Sequence, residues 1–417
     1  MHYLDYINLD YEPSESDVIC KYYVEPADTS IKIAAGGIAA ESSIGTWTKV
    51  LTEKNYVKKL AAKVYSINGR KISIAYPVEI FEKGNMANIL SSVAGNIYGL
   101  KLIKNLRLLD MYFPKELAES FQGPNFGIEG IRETLKIWDR PLIGTIIKPK
   151  IGLNSKDHAN IAYKAWIGGC DLVKDDENLA DQPFNRFKDR LTLTLEARDK
   201  AEEETGMIKA YIPNISAETE KMLERMDMIK SQGGRYLMID IITCGFSALQ
   251  TVRKHSGRLI IHAHRAGHAA FTKNRKHGVK MKVICKISRL IGVDQLHVGT
   301  AVGKMSEDKM EVLENIKALK GKLYNFKPVL PVASGGLHAG LIPPLMEIFG
   351  KDVIIQAGGG IHGHKMGIEA GAKSMKQAVE ASLKDIPLHE YAKTHLELKI
   401  VLENLKMNSW ENLTLQS

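Results

Sequence analysis

Cysteine is scarce. The 417 residues hold four, Cys20, Cys170, Cys244 and Cys285, far apart and without a CxxC pair. That argues against a disulfide framework or a cysteine-built zinc site and fits a reducing cytoplasm. Long hydrophobic runs are missing as well, so no segment is expected to span a membrane. The opening residues, Met1-His2-Tyr3-Leu4-Asp5-Tyr6, lack a basic region followed by an apolar stretch, and no secretory signal is expected. No G-x-G-x-x-G turn follows a strand candidate, which weighs against a dinucleotide-binding doubly wound sheet. The net charge is +9, yet there is no long basic block, and the Lys and Arg are spread among 48 acidic residues with few aromatics between them. Nucleic acid is therefore not the expected partner, and attraction of a small anionic substrate is the milder reading of the charge.

What is present reads as an ordinary soluble globular protein, too long for one simple core, so two domains are expected. Residues 1–138 mix strands with helices. Asp17–Val24, Ala61–Ile67 and Lys71–Tyr76 have strand character, while residues 33–43 and Met86–Ala94 suit helices. This is an α+β domain of ferredoxin-like type, with helices on one sheet face. Over residues 139–417 the pattern becomes regular. Short apolar strands are expected at Leu142–Ile147, Asp171–Val173, Ile208–Ile212, Tyr236–Ile241, Leu259–His262, Gln295–His297, Val329–Val332 and Val353–Gln356, alternating with helices such as Asp189–Glu204 and Ala217–Ser231. Eight such units in roughly 250 residues predict a (β/α)8 TIM barrel. One further helix, about Leu388 to Leu405, is expected to close the chain.

Barrels of this kind do their chemistry at the C-terminal ends of the strands. The second strand runs into Lys174-Asp175-Asp176-Glu177, a knot of charge that is costly to bury unless paired or bound to a metal. Asp176 and Glu177 supply the hard oxygen ligands that Mg²⁺ takes. Lys174 and Asp176 are one strand period apart and point to one face. The first strand is followed by Lys148 and Lys150, the third by Asn214, the fifth by His262, His264, Arg265 and His268. The sixth delivers His297 and a glycine-bounded Lys304, which suits a mobile lid. The seventh and eighth end in Ser334-Gly335-Gly336 and Gly358-Gly359-Gly360, tight loops whose exposed N–H groups bind phosphate. With Arg265 and His297 as a second cationic point, a substrate phosphorylated at both ends is indicated.

These residues lie in long motifs: GTIIKPKIGL from Gly144, GGCDLVKDDEN from Gly168, HAHRAGHA from His262, HVGTAVGK from His297, LPVASGG from Leu330 and QAGGG from Gln356. AAESSIGTWT from Ala39 and FEKGNMANILSSVAGNIYG from Phe81 belong with them. Together they resemble the large subunit of ribulose-1,5-bisphosphate carboxylase/oxygenase (RuBisCO), most closely its archaeal form III. The resemblance implies that Lys174 reacts with an activator CO₂ to become a carbamate (N6-carboxylysine). The carbamate then binds Mg²⁺ with Asp176 and Glu177 and takes the C3 proton of ribulose 1,5-bisphosphate, leaving an enediolate. It also implies catalytic roles for Lys148, His264 and Lys304. Lys150, Arg265, His297, Ser334, Gly335, Gly336, Gln356, Gly358 and Gly359 would bind substrate. Glu41, Thr46, Trp47 and Asn96 would reach the site from a partner subunit, making a homodimer the minimal unit. CO₂ and O₂ would compete for the enediolate, and ribose phosphate from nucleotide breakdown is the implied metabolic setting. Asp175, left without a metal role, is read as structural.

Two departures from plant-type chains stand out. Ile146 replaces a polar Thr, and the segment between Lys304 and Leu330 is shorter, as in form II and form III chains. The competing reading is a RuBisCO-like enolase or isomerase of methionine salvage. Those relatives typically lose part of the second phosphate site or the lid lysine, and Lys304 is present here. A non-catalytic basic scaffold rests on the net charge alone.

Overall fold

A computed structural model describes residues 2–46, 48, 50–302 and 308–414, with side-chain surroundings to residue 405. Four strands lie in the N-terminal part, β1 (Asp17–Pro26), β2 (Lys63–Asn68), β3 (Lys71–Pro77) and β4 (Ile103–Tyr112). Helices Ile31–Glu41 and Met86–Val93 fall after β1 and β3. The chain then supplies β5 (Leu142–Ile146), β6 (Leu172–Lys174), β7 (Ala210–Ile212), β8 (Tyr236–Asp240), β9 (Ile260–His264), β10 (Gly278–Val279), β11 (Gln295–His297), β12 (Leu330–Ser334) and β13 (Ile354–Gln356).

The N-terminal strands pair antiparallel in the order β4-β1-β3-β2, the ferredoxin-like arrangement, and β10 adds to the β4 edge in parallel. β4 was not expected from the sequence. Its partner register with β1 shifts twice, at Lys21/Tyr22 and Glu25/Pro26, and such bulges break the alternation that marks a strand. The β10 graft ties the two halves together. Beside it, Asp110 on β4 pairs with Lys282 at 2.8 Å and Lys286 at 2.5 Å, and Arg107 donates to the Thr272 carbonyl at 2.8 Å.

The second sheet has eight parallel strands in the order β7-β6-β5-β13-β12-β11-β9-β8. It closes through the bridge Asn214↔Met238, where the Met238 N–H donates to Pro213 at 2.8 Å and the Ile215 N–H to Met238 at 3.0 Å. This is the expected barrel, with all eight foreseen strands present to within a few residues. Strand parity explains its inside. Leu142, Leu172, Ala210, Ile212, Tyr236, Met238, Ile260, Leu330, Val332 and Ile354 form one buried cluster filling the barrel. Alternate residues such as Ile143, Val173, Leu237, Ile261, Ala333 and Ile355 belong to the larger core that also takes in the surrounding helices. Helix Gly127–Leu135 adds Ile131 and Leu135 to the inner cluster. The last helix differs from expectation. Leu388–Tyr391 and Leu396–Thr414 are separate helices. Between them the His395 ring stacks on Tyr391 at 3.8 Å and its Nδ1 turns back to the Tyr391 carbonyl at 2.7 Å, closing off the first helix. Among the described residues no helix is long and apolar enough to cross a membrane.

Candidate active site

Parity continues to the top of the barrel, where it turns polar. The inward positions that follow the apolar layers are Lys174, Asp240, His262, His264, Gln295, His297, Ser334 and Gln356. Lys174 is buried, and its ammonium donates to the Asp175 carbonyl at 2.8 Å and meets the Met238 sulfur at 3.3 Å. Glu177 Oε2 lies 3.6 Å from Lys174 Nζ and 3.7 Å from His264 Nε2. Lys148 donates to Asp176 Oδ2 at 2.7 Å. Of the three carboxylates that follow β6, Asp176 and Glu177 are thus each faced by a lysine.

The electrostatics follow from burial. Burial pushes the Lys174 ammonium below its usual range, and the neighbouring Glu177, Asp176 and Asp240 carboxylates offset this only in part. Glu177 is pushed up by burial but more strongly down by Lys174 and His264, to about 2. Lys150 is exposed and adds to that downward pull on Glu177.

Asp175 points the other way, out toward the helices. Its carboxylate accepts from Arg190 Nε at 3.0 Å, Tyr211 OH at 2.7 Å and the Asn214 N–H at 3.0 Å, and His158 Nε2 lies 3.1 Å away. All of these side chains are buried. Burial alone would raise this carboxyl, but Arg190 and His158 hold it well below the carboxylate range. Arg190 also donates to the Ala180 and Asn185 carbonyls at 2.7 and 2.9 Å. The alternation Lys174 in, Asp175 out, Asp176 in is therefore clamped from behind by an ion pair that fixes the loop after β6.

On the far side, His264 Nδ1 is 2.6 Å from Asp240 Oδ1, which sets its ring. His297 Nδ1 is 2.7 Å from Ser334 Oγ. Arg265 is buried, and its charge is felt by His297 and His268. Gly335 and Gly336 hold φ of 119° and 69°, a left-handed turn that side chains resist. Gly358 sits before the short helix Gly359–His362. A Cβ at Gly358 would come 3.1 Å from Lys148 Cε, so the glycine leaves room for that lysine to cross to Asp176. Gln356 is buried at the barrel centre.

The structure thus gathers Lys148, Lys174, Asp176, Glu177 and His264 by direct contact, and pairs His297 with Ser334. Glu41 and Asn96 meet each other at 3.4 Å on the N-terminal domain. Among the described residues, no hydrogen bond or ion pair joins Glu41, Thr46 or Asn96 to the barrel cluster. Trp47 and Lys304 lie outside the described residues. Sequence reasoning passed over Asp240, Met238, Gln295 and the Asp175 clamp. Asp240 was discoverable, since it ends an inward-facing series Tyr236, Met238, Asp240. Arg190 was not, because nothing in a helix sequence says which buried strand end it will meet.

The residues fit Mg²⁺ on their donor chemistry. Asp176 and Glu177 offer oxygen ligands beside a buried lysine whose neutral form burial favours. Among the described residues no three His, Cys, Asp or Glu side chains gather to hold a metal. A carbamate on Lys174 would add a third protein oxygen ligand beside Asp176 and Glu177.

Family models match both halves of the chain: the ribulose bisphosphate carboxylase large chain N-terminal domain over residues 5–117 and its catalytic domain over residues 127–410. A ribulose bisphosphate carboxylase of Methanocaldococcus jannaschii is 50% identical, covering 97% of this chain and 100% of its own. One from Methanosarcina mazei is 48% identical over 95% and 98%. Among solved structures, the octameric ribulose-1,5-bisphosphate carboxylase/oxygenase of Pyrococcus horikoshii superposes with a TM-score of 0.95 at 47% identity, covering 98% of this chain and 97% of that one. The dimeric archaeal Rubisco of Hyperthermus butylicus gives 0.90 at 46%, covering 96% and 98%. The chain belongs to the ribulose bisphosphate carboxylase large-chain family, in the company of its archaeal members.

Proposed function

We propose that the protein is a ribulose-bisphosphate carboxylase, converting ribulose 1,5-bisphosphate, CO₂ and water to two molecules of 3-phosphoglycerate, with O₂ as a competing reactant. The observation that carries this reading is the Lys174–Asp176–Glu177 group faced by Lys148 and His264, in a chain about half identical to named carboxylases.

Lys174, Asp176 and Glu177 hold the activating groups. A carbamate formed on Lys174 would replace its cation with an oxygen ligand and a base for the C3 proton, and Mg²⁺ held by Lys174, Asp176 and Glu177 would supply positive charge beside the substrate oxygens. The lowered basicity of the buried Lys174 helps it reach the neutral amine that reacts with CO₂. Lys148 is positioned by Asp176 and delivers a proton to the late carbanion. His264, its ring set by Asp240, handles protons near Glu177. Arg265 and Ser334 hold one end of the substrate, His297 acting through the Ser334 hydroxyl it contacts, with Lys150 nearby. Gly335, Gly336, Gln356, Gly358 and Gly359 serve a phosphate and the sugar backbone. Lys304 closes over the site. Glu41, Thr46, Trp47 and Asn96, on the N-terminal domain of residues 1–138, complete the site in the barrel (residues 139–417) of a second copy. A homodimer or an assembly of dimers is then the working unit, which agrees with the dimeric and octameric archaeal relatives. A cytoplasmic enzyme of ribose-phosphate metabolism fits the four free cysteines.

The test is entry of labelled bicarbonate into acid-stable product in the presence of Mg²⁺ and ribulose bisphosphate. Turnover of a diketo-methylthiopentyl phosphate, with none of ribulose bisphosphate, would transfer the protein to the enolase reading.

A further inference from the structure

The barrel interior holds a row of side chains linked end to end beneath the proposed substrate site. Gln295 Oε1 lies 2.7 Å from His262 Nδ1. His262 Nε2 lies 2.8 Å from His297 Nε2. His297 Nδ1 lies 2.7 Å from Ser334 Oγ. The four residues come from the adjacent strands β9, β11 and β12. All sit on the inward parity and run from the middle of the barrel up to its mouth. Gln295 and His262 are completely buried, and His297 is nearly so. The two rings meet edge to face, with centroids 4.9 Å apart.

Burial keeps both rings neutral, so His297 does not supply the cationic point expected of it beside Arg265. Burial, reinforced by the charge of Lys174, pushes His262 down to about 3. Burial and the surrounding cations take His297 well below its ordinary range. A neutral imidazole carries one N–H and one bare nitrogen. A contact between two Nε2 atoms therefore needs one ring to donate and the other to accept, and the two tautomers are locked together. If His262 is protonated on Nδ1, its Nε2 accepts, His297 is protonated on Nε2, and the bare His297 Nδ1 has to be met by the Ser334 O–H. The reverse pair would place a hydrogen on His297 Nδ1 and free the Ser334 hydrogen for a ligand. The far end of the row decides between them. An amide oxygen facing His262 Nδ1 can only accept, and Oε1 of Gln295 is the atom that faces it.

We infer that Gln295 and His262 are positioning residues that fix His297 as its Nε2–H tautomer and thereby make the Ser334 oxygen a pure acceptor at the barrel mouth. The ligand group that suits it is a hydroxyl of a polyol, such as a sugar chain, because a phosphate oxygen would bring a second acceptor against the first. Gln295 thus sets the specificity of a residue on the neighbouring strand without touching the substrate. The substrate side of this inference rests on the carboxylase reading; the tautomers do not.

The test uses the full-length protein labelled with ¹⁵N-histidine. Ring tautomers are read from two-bond ¹H–¹⁵N correlations, with signals assigned by their loss in His262→Gln and His297→Asn. In the unmutated protein His262 should be the Nδ1–H tautomer and His297 the Nε2–H tautomer. In Gln295→Met the rings should lose this single arrangement. KM for ribulose bisphosphate should rise about tenfold, the worth of one well-placed hydrogen bond, with a smaller change in kcat. Adding Ser334→Ala to Gln295→Met should then cost little more, although Ser334→Ala alone raises KM. Either the opposite tautomer pair in the unmutated protein, or tautomers and KM untouched by Gln295→Met, would overturn the inference. Failure of the unmutated protein to fix labelled CO₂ would refute the carboxylase reading instead and leave the tautomer result standing.

Discussion

Asp175 offers the sharpest test of how the charged stretch after β6 is built. Its carboxylate is fully buried against Arg190, whose side chain is equally buried. Asp175→Asn keeps the shape but removes the charge, leaving a guanidinium in the interior with no anion. Breaking a buried pair from one side costs about 3–5 kcal/mol. At about 1 °C per kcal/mol for a protein of this size, the melting temperature should fall by about 3–6 °C. The pH dependence gives an independent check. The folded Asp175 carboxyl is held well below its unfolded value of about 3.9. Its stabilisation is therefore complete above about pH 4 and is lost as pH falls toward the folded value, at about 1.4 kcal/mol per pH unit. Urea denaturation of both proteins at pH 7, 4 and 3 should show a large gap at the first two and a narrower one at pH 3. A melting change under about 1 °C at pH 7, or a gap that stays constant down to pH 3, would refute the clamp.

Other substitutions separate positioning from folding. Gly358→Ala should leave thermal stability within about 1 kcal/mol, because the new methyl crowds the flexible end of Lys148, 3.1 Å away, and otherwise makes an ordinary contact with Ile146 at 4.0 Å. It should still lower kcat about tenfold by moving that ammonium a few tenths of an ångström, with steady-state kinetics and a melting curve as the pair of measurements. Asp240→Asn removes the carboxylate that orients His264 at 2.6 Å. It should lower kcat by about 100-fold and change its pH profile more than KM, whereas an unchanged profile would count against a proton-handling His264.

Much of the barrel could be read from the sequence because each inward strand is short, apolar and followed by residues of unusual chemistry. Lys174-Asp175-Asp176-Glu177 was visible as an anomaly for that reason, and its alternating directions follow from the strand period. What could not be read were long-range partners. Arg190 meets Asp175 across 15 residues of loop and helix. Gln295 meets His262 only once β9 and β11 lie side by side. β4 was missed because its bulges hide the period, although it is the strand that carries the β10 graft. The break between Tyr391 and Leu396 was hidden because its sequence reads as helix on both sides, and only the folded His395 ring shows where the turn falls.

The most direct measurement is carboxylation of ribulose bisphosphate before and after preincubation with CO₂ and Mg²⁺, in the unmutated protein and in Lys174→Ala. The unmutated protein should form 3-phosphoglycerate at a rate that rises with preincubation, and Lys174→Ala should show at least a 100-fold loss, about 2.7 kcal/mol, with no response to preincubation. Full activity without either activator, or a Lys174→Ala variant that still fixes CO₂ at the original rate, would contradict the assignment of Lys174 as the residue that completes the site.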